Sequence, residues 1–223
     1  MKRKGWTVAA AWCAMFVDIL GGPSGRADQR GAGFSIFETQ YSCLASGLES
    51  SLGPEDLTVL GFTIGVSTIR DVQKRFPGTL PVRLAYEEEA EDGICIKNEQ
   101  GMAVVFATGV VGAPDTLVAI YLAPVRLVEN PRVTCKSVAL PSRAFSSRSG
   151  VRVGATSAKV GTSVRAKVPT DGPFCAAHEI ASGRGPLRVS KSEGTEGHDF
   201  TGAEGYTRAG RLEWIKLFGI ASD

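Results

Sequence analysis

Cys175-Ala176-Ala177-His178 sets a thiol and an imidazole three residues apart, close to one turn if the segment is helical. A Cys/His nucleophile pair needs that imidazole to take the thiol proton and a third group to orient it, a part that His198-Asp199 could fill. The chemistry would be that of a thiol-dependent hydrolase. The plainer reading makes Cys175 a disulfide partner and His178 an ordinary surface residue. His178 and His198 are the only histidines, and no two cysteines stand two to four residues apart, so a zinc centre is not expected. Glu87, Glu88, Glu89, Glu91 and Asp92 form a dense acidic run, but it lacks the alternating oxygens and central glycine of a calcium loop and reads as a solvated loop or strand end. Ser182-Gly183-Arg184-Gly185 lacks the full spacing of a nucleotide fingerprint and reads as a plain turn. Ser142 to Ser149, with Arg143 and Arg148, reads as a flexible connection, and no G-x-S-x-G elbow occurs. No cofactor and no catalytic residue is expected from these patterns.

The compartment is better marked. Lys2, Arg3 and Lys4 precede a mostly apolar stretch from Trp6 to Leu20, and Gly21, Gly22 and Pro23 break it. That is the tripartite pattern of a secretory leader, with Gly25 and Ala27 as the small residues before a cut at Asp28. The apolar run is too short to span a bilayer comfortably, so no stable membrane insertion is expected after cleavage. Trp12 before Cys13 is too bulky for a lipid-modified cysteine site. Without the leader, 196 residues remain, with 21 basic and 22 acidic side chains. A near-neutral chain has no overall footprint for nucleic acid or anionic lipid. Cys43, Cys95, Cys135 and Cys175 then read as two disulfides of a periplasmic or secreted protein. The pairing taken is Cys95 with Cys135 and Cys43 with Cys175, although four cysteines allow three connectivities.

Elements able to position such residues begin at Leu57 to Ile64, an apolar strand-like run ended by Gly65. Ser67 or Thr68 can cap a helix whose Ile69, Val72 and Phe76 share a face, and Pro77-Gly78 ends it. Leu80 to Tyr86, Ile94 to Lys97, Met102 to Ala107 and Leu117 to Ala123 follow at strand length, with gaps too short for crossover helices, and so predict an antiparallel meander. Pro124 to Pro141 reads as a connector. Gly150 to Ser157 then lines up with Gly61 to Thr68 in glycines, strand residue and hydroxyls. The match predicts a second capped helix about one turn longer than the first, with Val160, Val164 and Val168 inward, weakened at Gly161, and a closing strand from Arg211 to Phe218.

The stretch Ile64-Gly65-Val66-Ser67-Thr68-Ile69-Arg70-Asp71-Val72, ending at Phe76-Pro77-Gly78, resembles the helix entry of the bacterial β-lactamase-inhibitor-protein-like fold. It is also similar to that of the small outer-membrane-assembly lipoproteins. The resemblance implies a short helix on an antiparallel sheet, present twice, and a bias toward protein binding. The fold expected is therefore α+β with two related units, each a short helix packed on an antiparallel sheet. They would span 28–135, with an N-terminal extension, and 136–223, behind a leader at 1–27. The function expected is that of an exported non-enzymatic protein that binds another, unidentified protein through the open face of its sheets. Tyr206 and Trp214 are the candidate contacts. The alternatives are the hydrolase above or a small-ligand-binding protein.

Overall fold

A computed structural model describes residues 36–37, 44–45, 52–84, 92–109, 115–180 and 198–222, all within a compact unit that runs from Gly31 to Asp223. The expected leader lies outside the described residues. So do Cys43, Ser182-Gly183-Arg184-Gly185 and all of the acidic run except Asp92. The fold is α+β: two helices lie against a largely antiparallel sheet.

Helix α1 (Ile69–Arg75) forms where the sequence predicts it. Thr68 accepts from Asp71 N, and the Asp71 carboxylate accepts from Thr68 N in return, so two otherwise orphaned amides are satisfied. Before it, Leu57 to Ile64 is not one strand. It folds into a hairpin of β2 (Thr58–Val59) and β3 (Phe62–Thr63), because Leu60 and Gly61 both take positive φ and so close a two-residue turn. Helix α2 (Ser157–Val164) is capped by Thr156 and buries Val160 and Val164. It stops at Arg165, which adopts a left-handed φ of 53°, so the expected extra turn is missing and Val168 packs on the core from outside the helix.

Among the described residues the sheet has nine strands. They are β1 (Leu44–Ala45), β4 (Val82–Arg83), β5 (Asp92–Lys97), β6 (Met102–Thr108), β7 (Leu117–Pro124), β8 (Lys136–Ser137), β9 (Gly172–Ile180), β10 (His198–Arg208) and β11 (Arg211–Ser222). The order is β1-β9-β10-β11-β7-β6-β5-β4, with β8 also on β5. All pairings are antiparallel except β1 with β9 and β5 with β8, which are parallel. The meander of β5, β6 and β7 agrees with expectation. β9 and β10 go beyond it, and they place the Cys175–His178 segment on a strand instead of a helix. The expected connector contains β8, and the expected flexible stretch at 142–149 is a packed turn: Phe145 is fully buried, and Ser147 N donates to Val151 O.

Both faces of the sheet are covered. The helix side buries Ile94, Ile96, Val104, Phe106, Ile215 and Leu217 with Val72, Val160 and Val164. The other side buries Val105, Tyr121, Trp214 and Phe218 beneath Ile36, Val128 and Val133. The expected open face is thus a second core. Phe37 packs edge-on against Tyr121, ring centroids 5.1 Å apart.

One set of contacts occurs twice. Gly65 N donates to Leu117 O, Leu117 N to Ser67 O and Ile69 N to Asp115 O. On the α2 side Gly154 N donates to Leu212 O, Leu212 N to Ala155 O and Ser157 N to Gly210 O. Gly61, Gly65, Gly150 and Gly154 all have positive φ. The register shifts at Ala107/Thr108 and again at Tyr206/Thr207. Thr108 Oγ1 donates to Asp92 O at 3.1 Å, and Thr207 Oγ1 lies 3.2 Å from Gly172 O. In structural terms Thr68 matches Thr156, one residue from the alignment read in the sequence. β7 and β11 pair with each other, Tyr121 against Lys216.

Candidate functional site

Cys175 and His178 stand three residues apart on β9, so they point to opposite faces of the sheet. Cys175 packs with the second core, and it is disulfide-bonded. His178 is 1% exposed on the helix side, its Nε2 3.0 Å from Val164 O. The imidazole therefore closes the end of α2, on the face of β9 opposite Cys175. Cys95 and Cys135 are bonded as expected, with Cα atoms 4.5 Å apart. Among the described residues no group of His, Cys, Asp and Glu is arranged to hold a metal ion.

The two aromatic contact candidates separate. Trp214 is 1% exposed and belongs to the second core, so in this chain it packs the sheet. Tyr206, its register partner, is half-buried at the margin of the same core. Polar groups lie beside them. Lys216 Nζ stands 3.6 Å from Glu204 Oε1 and 5.4 Å from the Tyr121 ring centroid. Glu213 holds Arg126 at 3.1 Å and Arg208 at 3.8 Å. These pairs tie β10, β11 and the turn after β7 together.

A sequence stretch of one charge sign surrounds α2 on the helix side. From Ser142 to Thr170 the chain carries Arg143, Arg148, Arg152, Lys159, Arg165 and Lys167, and no acidic residue falls between Glu129 and Asp171. All six cations are exposed. Local structure gathers several of them. Gly150, at φ 88°, closes the turn from Ser147, and Lys159 reaches back over it, its Nζ 3.5 Å from where a Cβ on Gly150 would stand. Arg152 lies on the loop between Gly150 and Gly154, and Arg211 Nη1 donates to Gly154 O at 3.0 Å. Arg165 is within 3.7 Å of Asp56. Glu55 and Asp56 also lie against this layer, since Ser149 N donates to Glu55 O and Arg148 N to Thr58 O, whereas the α1 helix carries Asp71 with Arg70, Lys74 and Arg75. Whole-chain charge hid this stretch: the net charge is only +2, and the gap in acids shows only when they are counted along the chain. Val66 and Leu80, exposed at 64% and 77%, flank α1 in sequence, but single exposed apolar side chains do not define a site.

No protein-family model, curated protein or solved structure matches this chain. Its functional reading therefore rests on its own residues. Chemically, the α2 surface can attract carboxylates, because its guanidinium groups can donate bidentate hydrogen bonds to them; the hydroxyls of Ser146 and Thr162 are already committed to Arg143 O and Ala158 O, and Ser149 to Ser147.

Proposed function

We propose that this chain is an exported, non-enzymatic protein that binds an acidic surface of another protein through its α2 layer. The observation that carries the reading is the exposed run of cations from Arg143 to Lys167, a stretch of sequence with no acid in it, although Asp56 stands beside Arg165. Segregated charge of this kind steers an oppositely charged partner and sets the register of docking. The Cys95–Cys135 bond and the bonded Cys175 support export, since such bonds persist in oxidising compartments. A periplasmic or secreted location follows from the leader pattern at 1–27. There an exported chain meets proteins of the envelope or the medium and not nucleic acid.

The same reading includes a duplicated architecture. The recurring glycine turns, caps, bulges and threonine bonds support descent of the α1 and α2 parts from one unit, as the β-lactamase-inhibitor-protein-like resemblance implies. The units keep the bounds 28–135 and 136–223, joined edge to edge at β7 and β11. The α2 unit then carries the binding function, because its surface has diverged furthest in charge.

Capture from envelope extracts and culture fluid tests the proposal. The mature wild-type chain should retain a specific acidic protein and release it as ionic strength rises. Arg148→Glu/Arg152→Glu/Lys159→Glu should retain at least about tenfold less while keeping its unfolding midpoint, since all three side chains are exposed. Equal retention by a folded triple variant would overturn the assignment to α2.

A further inference from the structure

We infer that Glu55 and Asp56 are specificity-determining residues of the α2 layer, a fixed acidic rim that turns away dense polyanions and leaves the cations to a partner with well-spaced carboxylates. This role rests on the docking reading given above. Glu55 and Asp56 precede α1 in the chain, yet their turn is bonded to the α2 side. Ser149 N donates to Glu55 O at 3.2 Å and Arg148 N to Thr58 O at 2.8 Å, and Val59 forms an antiparallel bridge with Ser147. Ser149 stands between Arg148 and Gly150, the glycine over which Lys159 reaches. At a second point Arg165 Nη2 lies 3.7 Å from Asp56 Oδ2. The turn therefore meets the cationic stretch both before α2 and at its end.

Both carboxylates gather at one glycine. Gly53 N donates to Asp56 Oδ2 at 3.0 Å, and Glu55 folds back until its Oε1 stands 2.7 Å from where a Cβ on Gly53 would be. The turn cannot swing aside when a ligand arrives. Leu52 and Leu57, on either side of it, are 1% and 0% exposed in the helix-side core. Leu52 N also donates to the buried Thr201 Oγ1 of β10, and the amides of Asp56 and Leu57 both donate to Gly53 O. Negative charge anchored in this way is a repulsive element, and repulsion against the wrong ligand is what makes a surface selective. A polymer with a charge on every unit cannot cover the six cations without setting some of its charges against Glu55 and Asp56. A folded protein can offer carboxylates to Arg148, Arg152 and Lys159 and neutral groups to the rim.

Binding of the mature protein to a heparin oligosaccharide, a densely sulfated polyanion, tests the inference at low ionic strength. Glu55→Gln should bind the oligosaccharide about two- to threefold more tightly than wild type, the effect of removing one unit charge at about 7 Å in water. It should keep its unfolding midpoint, since Glu55 is exposed. Glu99→Gln, in the exposed turn between β5 and β6, should bind as wild type does. Equal binding by wild type and Glu55→Gln, or an equal gain from Glu99→Gln, would overturn the rim and leave the docking surface standing. Adding Arg148→Glu/Arg152→Glu/Lys159→Glu to Glu55→Gln should abolish the gain. A gain that survives those reversals would place the polyanion elsewhere and overturn both the rim and the docking surface.

Discussion

At the scale of single residues, two threonines hold the ends of the long hairpins. Thr108 and Thr207 are both buried, and each hydroxyl is committed to a carbonyl of the neighbouring strand, Thr207 also reaching Pro169 O at 2.7 Å. Replacing either by valine keeps the shape and strips the donor from buried carbonyls, which should cost about 1–2 kcal/mol in urea unfolding, Thr207→Val more than Thr108→Val. Glu129 is the residue through which pH acts. Burial works against its carboxylate, but the Lys97 ammonium at 2.7 Å and the Cys135 N–H outweigh burial and hold its pKa below the usual glutamate value. A carboxylate depressed in the folded state stabilises the fold above its unfolded pKa, and that contribution is lost as pH falls through the folded pKa. Glu129→Gln should therefore unfold more easily at neutral pH yet lose less stability on acidification below about pH 4.5. Thermal melts across pH check both signs. Glu129 and the Cys95–Cys135 bond secure the same short strand, so mutating either should loosen β8 first.

Elements are governed by turns and by small residues. β10 and β11 join through Ala209-Gly210, both at positive φ, in a two-residue hairpin whose flanking pair is Arg208↔Arg211. Asparagine tolerates that conformation better than alanine, so the exposed Ala209→Asn should gain about 0.5–1 kcal/mol, read as a higher unfolding midpoint. Gly205 shows the opposite case: a Cβ there would stand 2.5 Å from Trp214 O and 2.9 Å from the Phe174 ring. Gly205→Ala should destabilise by about 2 kcal/mol or more through overpacking. These residues also explain what the sequence concealed. α1, its Thr68 cap, β5, β6, β7 and most of β11 were legible because their apolar spacing is strong and their breakers are sharp. β9 and β10 were not, since Ala176, Ala177, Gly202, Ala203 and Gly205 lack the β-branched signature of strands, and the rings of Phe174 and Phe218 supply the missing bulk from neighbouring positions. Arg165 ended α2 early in a conformation that no propensity argument assigns to arginine.

For the whole molecule, β7 pairs with β11 inside one sheet, and a core lies against each of its faces. The proposed docking surface lies on the outer layer around α2, where the stretch from Arg143 to Lys167 carries six exposed cations. Little of that site was legible. The aromatic candidates stand out by residue type alone, and burial assigns Trp214 to the core, whereas the cations of the α2 layer are scattered singly along 25 residues and converge only through the turn at Gly150 and the short helix. The cysteines were more legible, because an even count beside a leader-like pattern reads as disulfides, and the Cys95–Cys135 pairing agrees with expectation. Among the described residues no helix is long and apolar enough to cross a membrane.

Photo-crosslinking in the producing cells tests the docking surface most directly, because it captures a partner whose identity is not known in advance. A photoreactive residue at Ala158 or Thr162, both exposed on α2, should yield one discrete adduct with an acidic protein, lost when Arg148, Arg152 and Lys159 are reversed to glutamate. The same probe at exposed Glu99, in the turn between β5 and β6, should yield none. An adduct formed from Glu99 but not from Ala158 or Thr162 would contradict the account.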